Sequence, residues 1–370
     1  MKYNLKPDEQ ATLELRGLYE KYGYKKYKIS KFEEYSLYAT NRDFIIGDKV
    51  LTFTDLDGRL LAMKPDVTLS VINNTAATRE KSEKLYYIEN VYRENRESHS
   101  FQEISQMGLE YMGNIDRYSI LEVMILAAKS LETIDDDYLL EISHMNYTKD
   151  LLDSLELDEN TYAELLDYIR QKNTTGIMQA AARAGLDDRC KDILCNVPFL
   201  YGEAAETIEK AAQMAFNDDM RRDLEELGEY CDALETLGYA GNIQLDLSMV
   251  NDIDYYNGIV FRGYIRKLPG CVLAGGQYDK AMELLGKDAG AVGFAIYLNE
   301  LTKGKQEPVK YDVDALLIYD DGESMDKVMK AVRELQGDGL SVRAETKPSP
   351  CLRYRYRYVL KNGKPVKEDI

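Results

Sequence analysis

The stretch Leu85-Tyr-Tyr-Ile-Glu-Asn-Val-Tyr-Arg93, followed closely by Gln106-Met-Gly-Leu-Glu110, decides the fold of this chain. Both lie in segments of strand character that flank one polar loop, a pattern typical of an antiparallel hairpin. Because side chains alternate between the two faces of a strand, Gln106, Gly108 and Glu110 share one face. An amide and a carboxylate on either side of a glycine form a shallow pocket that suits a cationic or amide-bearing ligand. The alternative is the solvated polar face of an antiparallel sheet.

Arg93 ends the first of these strands. The hairpin pattern therefore predicts that its guanidinium lies near the same pocket. The alternative is an ordinary surface ion pair with Glu94 or Glu110, which contributes little to stability.

A second set of candidate side chains lies in Asn251-Asp-Ile-Asp-Tyr-Tyr-Asn-Gly258 and Ala274-Gly-Gly-Gln-Tyr-Asp279. Tyr255 and Tyr256 add phenolic groups, although core packing is the default in a chain with 29 tyrosines. The glycine pair of the second segment allows a ligand or another strand to approach the backbone closely. Its spacing does not match the glycine-rich loops that bind dinucleotides or nucleoside triphosphates.

Length and composition limit the possible classes. A chain of 370 residues, 45% hydrophobic and 30% charged, fits two or three globular domains. It has no apolar run of membrane-spanning length and no apolar N-terminal signal, so a cytoplasmic protein is expected. Five scattered cysteines and two histidines give little basis for disulfides, a metal site or a catalytic triad. No cofactor is expected.

Charge is distributed unevenly along the chain. The net charge is −18, and residues 151–240 hold 20 acidic against 8 basic side chains. Binding to nucleic acid requires lysines and arginines that displace counterions from phosphates, and a broad acidic surface opposes it. Residues 347–370 are locally basic, with 7 basic against 2 acidic side chains. The balance favours a protein that does not bind nucleic acid.

The hydrophobic pattern predicts an α+β fold in three parts. Residues 1–149 and 241–305 read as one discontinuous core of strands and helices, which begins with a helix that Asp8 is expected to cap. Residues 150–240 read as a run of amphipathic helices inserted into that core. Residues 309–370 follow a polar linker and read as a small α/β unit.

The small unit carries the alternating segment Arg353-Tyr-Arg-Tyr-Arg-Tyr358. On a strand, this alternation places three arginines on one face and three tyrosines on the other. Basic and aromatic side chains together suit single-stranded nucleic acid. A solvated edge strand that charge protects from further pairing is the favoured interpretation.

Taken in order, these fragments resemble the class II core of the histidyl-tRNA synthetases. Gln106–Glu110 resembles the family's Q-x-G-x-E, and Asn251–Gly258 resembles its R-G-L-D-Y-Y-x-G signature. Four further segments follow the family's order. Met63–Thr68 resembles its R-P-E-x-T segment, and Tyr92-Arg93 resembles the motif 2 arginine. Ala274–Asp279 resembles A-G-G-R-Y-D, and Gly293–Leu301 resembles motif 3. Each fragment alone is a weak signal, but their shared order makes a strong one. The resemblance covers about residues 8–300 and implies an antiparallel sheet flanked by helices.

The resemblance also implies a site for histidine. In that family the ligand's ammonium is read by the residues that correspond to Asp66 and Gln106, with Thr68 beside them. The imidazole is read by the counterparts of Glu110, Tyr255 and Tyr256, and Arg93 corresponds to the motif 2 arginine. Acceptors of this kind suit a buried ammonium or imidazole N–H, which needs a hydrogen-bond partner.

The departures from the family pattern share one character. Where the synthetases carry arginines that support reaction with ATP, this chain has other residues, namely Gln102, Asn251, Gln277 and Glu300. Positioned cations lower the barrier to phosphoryl and adenylyl chemistry, so their loss argues against catalysis. A histidine pocket without that chemistry resembles the regulatory subunits of ATP phosphoribosyltransferase, a family of synthetase paralogues.

That second resemblance implies a non-catalytic regulatory subunit in histidine biosynthesis. It implies a short-form ATP phosphoribosyltransferase catalytic subunit as partner, free histidine as feedback effector, and a homodimer within a larger hetero-oligomer. The segment from Leu13 to Tyr38 resembles motif 1, which builds the dimer interface in the synthetases. A divergent but active histidyl-tRNA synthetase is the main alternative, and a synthetase-like binding or signalling module is a third.

Overall fold

The computed structural model describes residues 5–40, 49–95, 98–250, 255–303 and 311–368. These residues form two compact units, one up to residue 303 and the other from residue 311. Strands and helices both contribute to each unit, as the α+β prediction requires.

The described elements are numbered in chain order. The strands are β1 (Lys25–Lys26), β2 (Phe32–Glu34), β3 (Thr52–Thr54), β4 (Leu60–Met63), β5 (Glu83–Asn95), β6 (Ser100–Gly113), β7 (Tyr138–His144), β8 (Tyr201–Gly202), β9 (Ile243–Asp246), β10 (Ile259–Ile265), β11 (Cys271–Gln277), β12 (Gly290–Tyr297), β13 (Val313–Ile318), β14 (Val342–Glu345), β15 (Tyr354–Lys361) and β16 (Lys364–Glu368). The helices are α1 (Pro7–Lys21), α2 (Tyr35–Thr40), α3 (Thr68–Asn74), α4 (Arg117–Ile134), α5 (Met145–Asp153), α6 (Glu159–Arg170), α7 (Thr174–Arg183), α8 (Asp188–Asn196), α9 (Ala204–Met214), α10 (Asp218–Thr236), α11 (Asp279–Leu284), α12 (Leu298–Leu301) and α13 (Met325–Gly337).

One large sheet organises the larger unit. Within the described residues its strand order is β1-β5-β6-β12-β11-β10-β7-β9-β8, and its central strands pair antiparallel. Only the pairs β1–β5 and β7–β9 of this order run parallel. A separate antiparallel sheet, in the order β2-β4-β3, contains the hairpin β3–β4 around the Asp55–Gly58 turn. Gly58 has φ +82°, a conformation that favours glycine at such a turn.

The β5–β6 hairpin is the longest pairing of the sheet and confirms the prediction from its sequence. It joins residues 83–95 to residues 100–112 in continuous register. That register sets Glu110 opposite Leu85, and β12 covers the other edge of β6 with Gly293 opposite Glu110. The predicted binding strand therefore lies in the middle of the sheet, paired on both sides.

Helix α4 packs across one face of the sheet. Its buried side chains recur at helical spacing and include Ile120, Val123, Ala127 and Leu131. The helix lies so close to β10 that a Cβ on Gly263 would overlap the Leu131 side chain. One face of the sheet is thereby closed to solvent, so a ligand site must lie on the opposite face or at an end.

The helical segment shares its core with the sheet. Leu165, Leu194 and Leu224 belong to the same hydrophobic cluster as Ile142 and Phe261 of the sheet strands. Several helices of this segment begin at a side chain that accepts a backbone N–H, as at Asp158, Asn173, Asp187 and Asn217. None of the described helices is both long and apolar enough to cross a membrane.

The smaller unit holds one helix, α13, on a sheet of order β14-β13-β15-β16. The arginine- and tyrosine-rich strand β15 pairs with β13 on one side and with β16 on the other. The prediction of an edge strand was therefore wrong, because residues after 361 turn back as a further strand that covers it. Asn362 and Gly363, both at positive φ, make that turn.

The predicted start of the first helix also needs correction. Asp8 lies inside the first turn of α1 and does not cap it. Pro7 opens the helix, and Lys6 occupies the capping position, where its backbone N–H donates to the Glu9 carboxylate at 2.8 Å. Proline is favoured at the first helical position because it lacks the N–H that would otherwise need a partner there.

We expect alanine at Gly275 to destabilise the larger unit, because a Cβ there would overlap the Gly293 carbonyl and the Phe294 side chain across the β11–β12 pair. Overpacking of this kind costs about 1–3 kcal/mol. Gly228 lies within α10, where a Cβ would meet only ordinary contact. Gly228→Ala should therefore stabilise the protein by up to about 1 kcal/mol. Urea unfolding of both variants measures the difference, and a Gly275→Ala variant as stable as the wild type would contradict the packing described.

Candidate functional site

The centre of the candidate site is the buried carboxyl group of Glu110 on β6. Its side chain accepts a hydrogen bond from the Thr68 hydroxyl at 2.9 Å and another from the Tyr278 hydroxyl at 2.5 Å. The carboxyl oxygen lies directly over Gly293 of β12, where any Cβ would overlap it. The residue is 2% exposed. Three separate segments of the chain therefore meet at one carboxyl group.

Burial dominates the electrostatics of Glu110. The pKa of Glu110 is raised to about 8, mainly by loss of hydration and in part by the nearby Asp66 carboxyl, while hydrogen bonds from Tyr278, Thr68 and Tyr87 oppose the shift. Hydroxyl donors do not neutralise a charge. Among the described residues no lysine or arginine forms an ion pair with Glu110. A cationic ligand would supply the missing charge and would lower this pKa.

Asp66 and Arg93 form the second part of the site. One Asp66 oxygen accepts the backbone N–H of Leu69 at 3.0 Å, at the start of α3. The other lies 3.4 Å from Nη2 of Arg93, whose Nε donates to the Pro65 carbonyl at 2.8 Å. Burial raises the pKa of Asp66, and Arg93 opposes that shift. Arg93 therefore pairs with neither of the carboxylates expected at the surface, Glu94 and Glu110.

Aromatic side chains enclose the Glu110 carboxyl. The ring centroids of Tyr255 and Tyr256 lie 4.7 Å apart in edge-to-face contact, and those of Tyr255 and Tyr278 lie 5.8 Å apart. Burial raises the pKa of Tyr87, Tyr255 and Tyr278 well above the ordinary value. These phenols stay protonated at neutral pH, so they act as neutral hydrogen-bonding walls.

Gln106 and Gly108 extend the same face of β6. Gln106 is 3% exposed and lies opposite Glu89 of β5 and Tyr297 of β12. Gly108 lies under the Tyr87 hydroxyl, since a Cβ there would come within 2.5 Å of that oxygen. The interpretation of this face as solvated was wrong. The sheet carries packed layers on both sides, so the polar positions of its middle strand are buried.

The structure brings the predicted site residues together to different degrees. Thr68 contacts Glu110 directly, Tyr255 is hydrogen-bonded to Thr68, and Asp66 is held by Arg93. Gln106 shares the strand face of Glu110. The segment Asn251–Asp254 lies outside the described residues, so the predicted departure at Asn251 has no structural description.

Three contributors to the site were not predicted. Tyr87 and Tyr278 both reach Glu110, and Gly293 leaves the space that its carboxyl occupies. Tyr278 stood within the quoted Ala274–Asp279 segment, and Tyr87 stood within the first quoted strand. Their role depends on register, because Tyr87 faces Gly108 and Gly293 faces Glu110 across neighbouring strands.

Two described positions that depart from the synthetase pattern, Gln277 and Glu300, have local partners. Gln277 donates from Nε2 to Asp279 at 2.5 Å, and Asp279 also accepts from Asn257 and from the backbone N–H of Ala291. Glu300 pairs with Lys303 near the end of the unit. These groups are neutral or negative, so they offer no cation for a phosphate.

A family model described as histidyl-tRNA synthetase matches residues 4–301. An ATP phosphoribosyltransferase regulatory subunit from Clostridium acetobutylicum is 29% identical over 359 residues, with 94% of this chain and 87% of that protein covered. One from Bacillus cereus strain G9842 is 30% identical, with 81% of this chain and 72% of that protein covered.

Solved structures resemble the chain as well. An ATP phosphoribosyltransferase regulatory subunit/histidyl-tRNA synthetase from Bacillus halodurans has a TM-score of 0.77 at 22% identity, covering 93% of this chain and 91% of its own. A chain of the ATP phosphoribosyl transferase complex from Thermotoga maritima has a TM-score of 0.64 at 21% identity, covering 80% of this chain and 98% of its own. At these identities the likeness establishes the class II synthetase-like fold and nothing finer.

We expect Glu110→Gln to change the pH dependence of stability. Because the folded-state pKa of Glu110 is raised from 4.5 to about 8, the stability it contributes is fully present below pH 4.5 and is lost as the pH rises towards 8. Glutamine does not titrate. The free energy of unfolding of the variant, minus that of the wild type, should therefore increase between pH 5 and pH 8 by up to ~1.4 kcal/mol per pH unit.

Urea unfolding at four pH values in this range measures the difference. Glu103→Gln is the matched control, since Glu103 is exposed on the same strand and its pKa is lowered by hydrogen bonds from Tyr92 and Asn90. That control should show no trend above pH 5. A stability difference for Glu110→Gln that does not vary with pH would show that the carboxyl is already ionised.

Proposed function

This chain belongs to the histidyl-tRNA synthetase family, among the ATP phosphoribosyltransferase regulatory subunits, and from that premise we propose what it binds and what it assembles with. Its role is that of a non-catalytic regulatory subunit in histidine biosynthesis. It binds free histidine in the Glu110 pocket and supports a short-form catalytic subunit of ATP phosphoribosyltransferase. A divergent histidyl-tRNA synthetase is the alternative.

One observation carries the choice of ligand: a buried carboxyl group surrounded by hydroxyls without a cation among the described residues. The imidazole of histidine offers N–H donors and takes up a proton near neutral pH. It therefore matches Glu110, the phenols of Tyr255 and Tyr256, and the Thr68 hydroxyl. A neutral or acidic ligand would bring no cation to the ionised Glu110 carboxylate, whose charge is costly to bury.

The ammonium and carboxylate groups of histidine fit the part of the site formed around Asp66 and Arg93. Asp66 and the Gln106 amide oxygen are acceptors for the ammonium group. Arg93 holds Asp66 and the Pro65 carbonyl. Since a guanidinium carries five N–H donors, it can also meet the ligand's carboxylate. The seven proposed histidine-binding residues are Asp66, Thr68, Arg93, Gln106, Glu110, Tyr255 and Tyr256.

The proposed absence of catalysis rests on charge. Transfer of an adenylyl group requires cations that stabilise developing negative charge. Gln102, Gln277 and Glu300 provide none, and Glu300 adds a negative charge of its own. A subunit without its own chemistry influences a pathway by favouring one conformational state of a partner that has it.

We expect Glu110→Ala to weaken histidine binding by roughly tens-fold or more, because removing one partner of a buried charged pair costs about 2–5 kcal/mol. Isothermal titration calorimetry at pH 7 measures the dissociation constant. Glu103→Ala, an exposed carboxylate on the same strand, is the control and should bind as the wild type does. Unchanged affinity in both Glu110→Ala and Tyr255→Ala would place the effector site elsewhere.

The partnership is tested by mixing the purified chain with a short-form catalytic subunit. We expect the two to co-elute as a hetero-oligomer built on a homodimer of this chain. We also expect the catalytic rate to rise on assembly and to fall when histidine is added. For ordinary coupling, histidine binds one state of the complex more tightly by ~1–3 kcal/mol.

The variant Glu110→Ala tests inhibition by histidine separately from assembly with the catalytic subunit and its activation. The variant should still assemble and activate, since Glu110 is buried, but it should lose inhibition by histidine at concentrations that inhibit the wild-type complex. If the two chains neither co-elute nor change the catalytic rate on mixing, the partnership is refuted. Histidine-dependent pyrophosphate exchange by the isolated chain would instead support the synthetase alternative.

A further inference from the structure

A second polar cavity lies where strand β7 ends against helix α10. Its volume is about 450 Å³, and its walls include His144, Asn146, Asp223 and Glu226. None of the seven residues proposed to bind histidine lines it. A neighbouring cavity of about 500 Å³ shares its Asn146, Asp223 and Glu226 walls. The two spaces therefore adjoin along one edge of α10.

His144 is the buried group in this cavity. Its side chain is 2% exposed, its Nε2 lies 3.7 Å from Glu226, and its Nδ1 lies 3.5 Å from Asp223. Within the described part of the chain, Nδ1 makes no hydrogen bond, and neither does the second carboxyl oxygen of Asp223, which is also buried. Most buried polar atoms in proteins have a partner, so two neighbouring atoms without one call for an explanation.

Both of these atoms accept hydrogen bonds. When Nε2 carries the ring proton and faces Glu226, Nδ1 presents a lone pair beside the Asp223 carboxylate. In that tautomer the two acceptors cannot satisfy each other. A group that carries several N–H donors satisfies both at once.

The charges around His144 also favour a cationic group in this cavity. Asp150 and Asp223 are neighbours, and the pKa of each is raised, mainly by burial, with that of Asp223 at about 6. The arginines on the cavity walls form ion pairs with other acids, Arg117 with Glu229 and Arg222 with Asp219, and act on Glu226 and Asp223 only through longer-range charge. His144 thus faces an excess of carboxyl groups from α5 and α10.

We propose that this cavity binds a small organic cation through a primary ammonium or amidinium group, which donates to Nδ1 of His144 and to the Asp223 carboxylate. Glu226 acts as a positioning residue, because its contact with Nε2 turns the Nδ1 lone pair towards the ligand. The adjoining acidic cavity, with Asp150 and Glu225 on its wall, accommodates the rest of the molecule or a second cationic group.

The position gives the ligand a structural consequence. His144 ends a strand of the sheet and precedes α5, whereas Asp223 and Glu226 belong to α10 of the helical segment. The backbone N–H of Met145, the next residue, donates to the Gly258 carbonyl at 2.7 Å. A bound cation would therefore tie the helical segment to the sheet close to the turn that follows Tyr255 and Tyr256.

The test uses the scarcity of histidine in this chain. The sequence has only two histidines, His99 and His144. NMR of protein that carries 13C at Cε1 of each histidine ring therefore gives two signals, one per residue. His99 is exposed and serves as the internal control. The probe is 1,4-diaminobutane, with sodium chloride at matched ionic strength as the reference. We expect the His144 signal to shift and saturate with the diamine, while the His99 signal follows the salt reference.

Asp223→Asn keeps the shape of the side chain and removes its charge. We expect it to raise the dissociation constant for the diamine by roughly tenfold or more, the usual effect of losing a charged hydrogen bond. Asp232→Asn, an exposed acid on the same helix that lines neither cavity, should change that constant little. A urea unfolding midpoint close to that of the wild type would show that the Asp223→Asn variant is folded.

Three results would overturn the proposal. The His144 signal could move only in proportion to ionic strength, which would mean that water fills the cavity. Asp223→Asn could bind the diamine as tightly as the wild type does. Magnesium chloride at millimolar concentration could produce the same saturating shift, which would mean that the acidic wall holds an inorganic ion. Because the Glu110 pocket is measured separately, loss of histidine binding to the wild type would leave this test intact.

Discussion

The packing of the Glu110 carboxyl group against Gly293 is the constraint on which the site depends. It requires β6 and β12 to pair in one register, because a slip of one residue would place a side chain where the carboxyl lies. It also draws in Thr68 from the start of α3 and Tyr278 from the start of α11. A single buried acid therefore links the sheet to the two short helices beside it.

Burial of the Glu110 carboxyl is costly as long as no cation accompanies it. Hydroxyl groups stabilise the carboxyl without neutralising it, and the raised pKa of Glu110 records the remaining cost. Groups with strongly shifted pKa values are typical of binding sites, where a ligand can supply the charge that the protein lacks. Asp66 differs, since Arg93 already accompanies it. Within the described part of the chain, Glu110 thus has no cationic partner, whereas Asp66 is held in place by Arg93.

The helical segment contributes to the molecule in two ways. Its apolar side chains complete the core on the sheet face that α4 covers, so it is packed as part of the larger unit. Its acidic residues on α10 face the end of β7, where His144 is buried among them. The strong negative charge of residues 151–240 is therefore partly directed inward, towards a histidine.

The sequence by itself determined the succession of elements and the chemical types at the site. Alternation placed the β5–β6 hairpin, helical periodicity indicated the run of helices within residues 150–240, and motif order indicated which acids and tyrosines belong together. Local signals decided these features because they depend on neighbours along the chain. Where a distant or later segment intervened, local reasoning failed, as at β15, which β16 covers, and at the β6 face, which is buried instead of solvated.

Only the tertiary structure decided what surrounds each polar group. The contacts of Glu110 with Tyr87 and Tyr278, the pairing of Arg93 with Asp66 and the burial of His144 between strand and helix all join residues far apart in sequence. Burial depends on every layer packed around a residue, and register depends on strands that lie many residues away. A list of residue types contains neither quantity, so the raised pKa values and the unpartnered acceptors became visible only in the folded chain.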